Sequence, residues 1–122
     1  MAEAIRDFTD LIVWQKAVEL GKRVYELTRG FPREEMYGLT LQIRRAAISV
    51  SSNIAEGHAR QRREFSSFIG IARGSLAEVE SQLLFAVAIG YLDPDTVTPL
   101  RALAAEIHKM AHVLCLRLAG RK

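Results

Sequence analysis

Residues 62–90 read RREFSSFIGIARGSLAEVESQLLFAVAIG. Phe65, Phe68, Ala72, Leu76, Val79, Leu83 and Ala86 recur there at spacings of three and four, which is one face of a helix with 3.6 residues per turn. No alternation of period two runs through the stretch, so a strand is excluded. The pattern reaches Ile89, where Gly90 and then Asp93-Pro94 end it. At 1.5 Å per residue the segment is roughly 40 Å long.

Working outward, the same period marks three more helices. In the first, expected over about residues 11–29, Val13, Ala17, Leu20, Val24 and Leu27 form a stripe, Asp10 or Thr9 serves as N-cap, and Gly30 and Pro32 stop it. The second is expected over about 34–57. Pro32 with Glu34 and Glu35 suits a first turn; Leu39, Ile43, Ala46, Ala47, Val50 and Ile54 face inward; Gly57 is the stop. The fourth covers about 95–119, with Leu100, Leu103, Ile107, Ala111, Leu114 and Leu118 inward. Short links between long helices favour antiparallel neighbours. The expected fold is therefore all-α: an up-down-up-down four-helix bundle filling 1–122 as a single domain.

Folding the second helix onto the third about residue 60 brings Ala46 and Ser49 near Gly70 and Arg73, and Arg44 and Arg45 within reach of Glu78. Each Gly inside a helix costs about 1 kcal/mol relative to Ala. Gly70 and Gly74 are therefore expected to permit close backbone approach.

Composition sets the outer limits. The 122 residues are 49% hydrophobic and 25% charged with 8 Gly and 3 Pro, which excludes a disordered tail, a collagen-like repeat or a disulfide scaffold. A lone Cys115 forms no internal bridge, so a reducing cytoplasm is expected. Met1–Asp10 lacks the continuous apolar core of a targeting signal. The longest apolar stretch, Leu83–Leu92, is about half of the roughly 20 residues a membrane span needs, so no membrane partner is expected.

The net charge of +3 is unevenly placed. Residues 41–75 carry Arg44, Arg45, Arg60, Arg62, Arg63 and Arg73 against only Glu56 and Glu64, while the rest of the chain is close to balanced. Arg offers a planar, permanently charged fork that matches phosphate. In an up-down bundle the Arg60–Arg63 link lies at the same end as the termini, where Arg117, Arg121 and Lys122 add charge. Such contacts give affinity without reading sequence. No recognition-helix motif, zinc finger or aromatic platform accompanies them, and aromatics are only 7% of the chain.

The third helix carries apolar side chains on too many sides. Ile71, Phe85 and Ile89 lie off its core stripe, as Trp14, Val18 and Tyr25 do on the first helix. A second apolar face marks a contact surface, so a homo-oligomer using Trp14, Ile71, Phe85 and Ile89 is expected.

No catalytic set stands out. Neither a phosphate-binding Gly-rich loop nor a dinucleotide fingerprint occurs. His108, His112 and Cys115 fall on one arc of the fourth helix, but no fourth ligand is nearby, and histidines beside a bundle core are usually satisfied polar groups. No metal, no cofactor and no enzymatic activity are expected.

Combined motifs then carry a resemblance. They are Phe8–Ala17 (FTDLIVWQKA), Phe31-Pro32 with Tyr37–Thr40, Gln42–Ala47 (QIRRAA), Ser52–Gly57 (SNIAEG) and Ala72–Glu80 (ARGSLAEVE). Together, from Phe8 to about Leu118, the chain resembles the four-helix bundle family of 23S rRNA intervening-sequence proteins. It departs at Ser51, where the family often has Pro, so helix 2 is expected to bend less. The resemblance implies a homopentameric ring. It is also similar to accessory proteins of diversity-generating retroelements, pentamers that bind nucleic acid and a reverse transcriptase. It implies no catalytic residues; Arg44, Arg45, Asn53, Glu56, Arg73 and Glu78 match without an assigned role. The expected function is a non-enzymatic homo-oligomer that binds structured RNA through its arginines. The rival is a scaffold docking an acidic or polymerase-like protein.

Overall fold

A computed structural model describes residues 5–120. Four helices form: α1 (Ile12–Thr28), α2 (Leu39–His58), α3 (Arg62–Ala88) and α4 (Pro94–Gly120), with short 3-10 turns at Phe8–Asp10 and Arg33–Glu35. No strand forms among the described residues. Each helix packs on its neighbours in the chain, α1 also packs on α4, and the backbones of the diagonal pairs stay further apart.

Side-chain pairs give the direction. Ser49 and Ser75 hydroxyls meet at 2.8 Å midway along α2 and α3, and Gly57 near the end of α2 abuts Phe65 and Phe68 near the start of α3. Ser66 reaches Cys115, whereas Glu80, about four turns further along α3, reaches back to Arg101 and His108. All sequential pairs are therefore antiparallel. The α2–α3 link shares one end of the bundle with the start of α1 and the end of α4; the α1–α2 and α3–α4 links share the other.

The stripes converge as their spacing requires. Leu20, Val24, Ile43, Val50, Leu76, Val79, Leu83 and Ile107 are at most 1% exposed and form one continuous core. Ile69, not Phe68, is the fully buried member at its turn of α3; Phe68 is half-buried against Gly57. Two buried hydroxyls are satisfied locally: Thr28 donates to the Val24 carbonyl at 2.8 Å, and Ser75 meets Ser49.

Several expectations need correction. α2 begins at Leu39, not near 34, because Arg33–Glu35 closes a separate turn and the Glu35 carboxylate accepts the Leu39 N–H at 3.1 Å. Asp10 does not cap α1. Its carboxylate accepts the Arg6 and Asp7 N–H groups at the turn before it, which lowers its pKa, and α1 starts after Leu11. Gly57 does not end α2, which continues to His58. Its role is steric: a Cβ there would lie 2.6 Å from Phe68 Cβ. Gly70 and Gly74 are not points of close approach, since a Cβ on either would meet nothing within 4 Å. Gly90 does end α3, at φ 87°. The Tyr91 N–H bonds the Ala86 carbonyl and the Gly90 N–H that of Val87, the pair of bonds a left-handed glycine permits.

Candidate nucleic-acid interface

Helix geometry distributes the six arginines over three faces and one end. Arg44 turns toward α1. Its Nε donates to Thr28 Oγ1 at 2.8 Å, one Nη donates to the Tyr25 carbonyl at 3.3 Å, and its guanidinium stacks 4.3 Å over the Tyr25 ring. It is thus not within reach of Glu78, contrary to expectation. Arg45, one residue on, is exposed on the opposite flank of α2 and lines the α2–α3 groove with Gln42, Ser49, Ser75, Glu78 and Gln82. Arg45 and Glu78 share that groove but form no ion pair among the described residues. The Gln82 Oε1 is buried there without a partner. Arg73 sits seven residues from both Ser66 and Glu80, which bond to α4, so it belongs to the α3–α4 side and is half-buried.

The link cluster is split by pairing. Arg60 reaches Glu56 at 3.1 Å and Glu64 at 3.9 Å, and lies 5.3 Å from the Phe68 ring centre. Its charge is largely answered within the loop. Arg62 and Arg63, in the first turn of α3, are exposed and have no ion-pair partner among the described residues. Arg117 at the end of α4 is in the same condition, while Arg6 pairs with Asp10. Arg121 and Lys122, expected at this end, lie outside the described residues.

The apolar residues expected off the core also divide. Ile71, Phe85 and Ile89 are 53%, 56% and 44% exposed on α3. Trp14 instead is half-buried, edge-on to Phe8 at 5.2 Å between ring centres. Exposed Ile48 on α2, Leu84 on α3 and Met36 and Tyr37 before α2 were missed by stripe counting. Loop residues carry no period to read.

His108, His112 and Cys115 do not converge. His108 Nε2 lies 3.1 Å from Glu80, Cys115 faces Ser66, and His112 is exposed. Among the described residues no three His, Cys, Asp or Glu side chains gather to hold a metal. The shifted ionisable groups have local causes. The Tyr91 hydroxyl donates to Glu35 Oε2 at 2.7 Å; this and the Leu39 N–H lower the Glu35 pKa, and the same bond raises that of Tyr91. Arg23, bonded at 2.9 Å, lowers that of Glu19. Among the described residues no helix is long and apolar enough to cross a membrane.

The fold and this surface define a small antiparallel four-helix bundle displaying arginines at one end. The chain belongs to the 23S rRNA-intervening sequence protein family, whose model matches residues 9–113. A solved relative is similar over 85% of this chain and 95% of its own, at 24% identity and a TM-score of 0.78. It is described as a protein of unknown function from the S23 ribosomal protein family, from Bacteroides thetaiotaomicron VPI-5482. At that identity the likeness speaks for the fold. Comparison with curated proteins finds no match.

Proposed function

We propose that this protein is a non-enzymatic homo-oligomer, a ring of five, that binds structured RNA by phosphate contact. One observation carries the reading: Arg62 and Arg63 stand exposed at the start of α3, without an ion-pair partner among the described residues, beside an Arg60 whose charge is already answered. Arg117 extends this end, and Arg45 offers a further cation on the α2–α3 side. Ile71, Phe85 and Ile89 form the subunit contact in this reading, because exposed apolar side chains on one helix face favour burial against another copy. Repetition around a ring turns weak sites into useful avidity.

The test is fluorescence anisotropy with fragmented rRNA at low and moderate salt, comparing wild type with R62E/R63E. Arg60 is left intact, because reversing it would set three glutamates together. RNA retention is lost in the variant while helicity and particle size stay the same. Equal binding by the variant refutes the reading.

A specific feature favours the alternative, a scaffold for an acidic protein partner. A groove of about 500 Å3 between α1 and α4 is lined by Leu11, Ile12, Met110, Val113 and Leu114, with Lys109 and Arg117 among its borders. Nuclease-resistant retention of a partner, lost on K109E/R117E, supports that alternative.

A further inference from the structure

At the end of the bundle away from Arg62 and Arg63, a second basic site forms where α1 passes into α2. A pocket of about 250 Å3 is lined by Thr28 and Arg29 from the end of α1, Phe31 and Arg33 from the connection, and Thr40 and Arg44 from α2. Three arginines therefore border one small concavity, and none has a carboxylate within ion-pair distance among the described residues. Glu34, Glu35, Asp93 and Asp95 lie at this end as well. Glu35 does not answer the arginines: its two oxygens are taken by the Tyr91 hydroxyl and the Leu39 N–H.

Arg44 is the anchor. Stacked on Tyr25 and bonded to Thr28 Oγ1 and the Tyr25 carbonyl, it is half-buried and held in one orientation with donor capacity to spare. A partly desolvated guanidinium without a counter-ion favours any anion that can reach it. Thr40 is the second residue of α2 and Thr28 the last of α1, so the positive end of one helix and the negative end of the other both border this space, and the attraction for an anion rests on the arginines. The volume is below the roughly 300–1,000 Å3 of ordinary small-molecule sites. It suits a single phosphate group with part of its ester.

We propose that Arg29, Arg33 and Arg44 form a binding site for a phosphate monoester, a mononucleotide phosphate or the 5′-phosphate of an RNA end. The site is separate from Arg62 and Arg63 and stands whether or not they bind RNA. Arg44 supplies the fixed fork; Arg29 and Arg33, both exposed, close over the remaining oxygens.

Titration followed by 31P NMR tests it, with inorganic phosphate and 5′-AMP as probes. Anisotropy then compares a single-stranded RNA octamer bearing a 5′-phosphate with its 5′-hydroxyl form. Wild type broadens the 5′-AMP phosphorus signal, and R29Q/R33Q binds at least tenfold more weakly. These are surface changes that leave the Arg44 contacts intact, so folding is preserved. R62Q/R63Q binds 5′-AMP as wild type does, which separates this site from the RNA-binding end. Preference for 5′-AMP or for the phosphorylated octamer identifies the source of the phosphate. The proposal is overturned if no phosphorylated probe binds better than adenosine or the 5′-hydroxyl octamer. Equal binding by R29Q/R33Q and wild type overturns it as well.

Discussion

Gly57→Ala is the sharpest test of how α2 and α3 are joined. The added methyl would lie 2.6 Å from Phe68 Cβ and 2.9 Å from Phe65 Cδ1. Carbon atoms rest at about 3.5–4.0 Å, so about 1 Å must be found. The Phe65 ring can swing, but Phe68 Cβ moves only with the α3 backbone. Overpacking costs about 1–3 kcal/mol, and a clash tied to backbone belongs at the upper end, about 3. Alanine's helix propensity returns about 1 kcal/mol. The net loss is about 2 kcal/mol, a fall in Tm of roughly 8 °C for a chain of this size. Gly70→Ala and Gly74→Ala are the internal controls. Each sits inside α3 with open space around the new methyl, gains about 1 kcal/mol and raises Tm by roughly 4 °C. Thermal denaturation followed by circular dichroism, at one fixed protein concentration, reads all three. A Gly57→Ala protein melting at or above wild type refutes the packing argument, as does a matching fall in the two controls.

Two further outcomes follow from exposed and shifted groups. Ile71→Asp and Phe85→Asp each place a charge on the α3 face proposed as the subunit contact; light scattering after size exclusion should show smaller particles with helicity unchanged, and an unaltered particle mass removes these residues from the interface. Tyr91→Phe removes the hydroxyl that lowers the Glu35 pKa. A carboxyl with a depressed folded pKa adds stability above its unfolded value, here 4.5, and loses it as pH falls through the folded value. The variant should therefore show a shallower loss of stability on acidification below that pH, with the Glu35 titration in NMR moved upward.

Helix existence was legible because long apolar stripes of period 3.6 have one reading, and α3 and α4 lie within two residues of their expected limits. The start of α2 was not legible. Pro32-Arg33-Glu34-Glu35 has the composition of a helical first turn, yet Glu35 bonds across to Tyr91 just past the end of α3, a tertiary contact no local pattern reveals. The glycines show the same divide. Gly90 reads correctly because a stop signal is local, whereas Gly57, Gly70 and Gly74 depend on what lies opposite, which the register of Ser49 against Ser75 decides. Neighbours in sequence also part on a helix: Arg44 and Arg45 are adjacent, and their side chains serve opposite flanks of α2. A count of charges along the chain overstates the cluster for this reason.

How many arginines meet RNA at once is open to direct measurement. The affinity of a phosphate-binding protein falls with salt at a log–log slope of about −0.9 per phosphate on duplexes and about −0.7 on single strands. If one subunit engages through Arg62 and Arg63, the slope is about −1.4 to −1.8, a loss of roughly 25- to 60-fold over a tenfold rise in salt. If all five subunits of the proposed ring engage one RNA, the slope steepens to about −7 to −9. Replacing Arg62 with Gln separates the cases further. It should halve the slope in either, because each subunit keeps only Arg63, whereas Arg60→Gln should leave it nearly unchanged because Glu56 and Glu64 already hold that charge. A slope indifferent to Arg62 but sensitive to Arg60 would overturn the division of this cluster into paired and free charge.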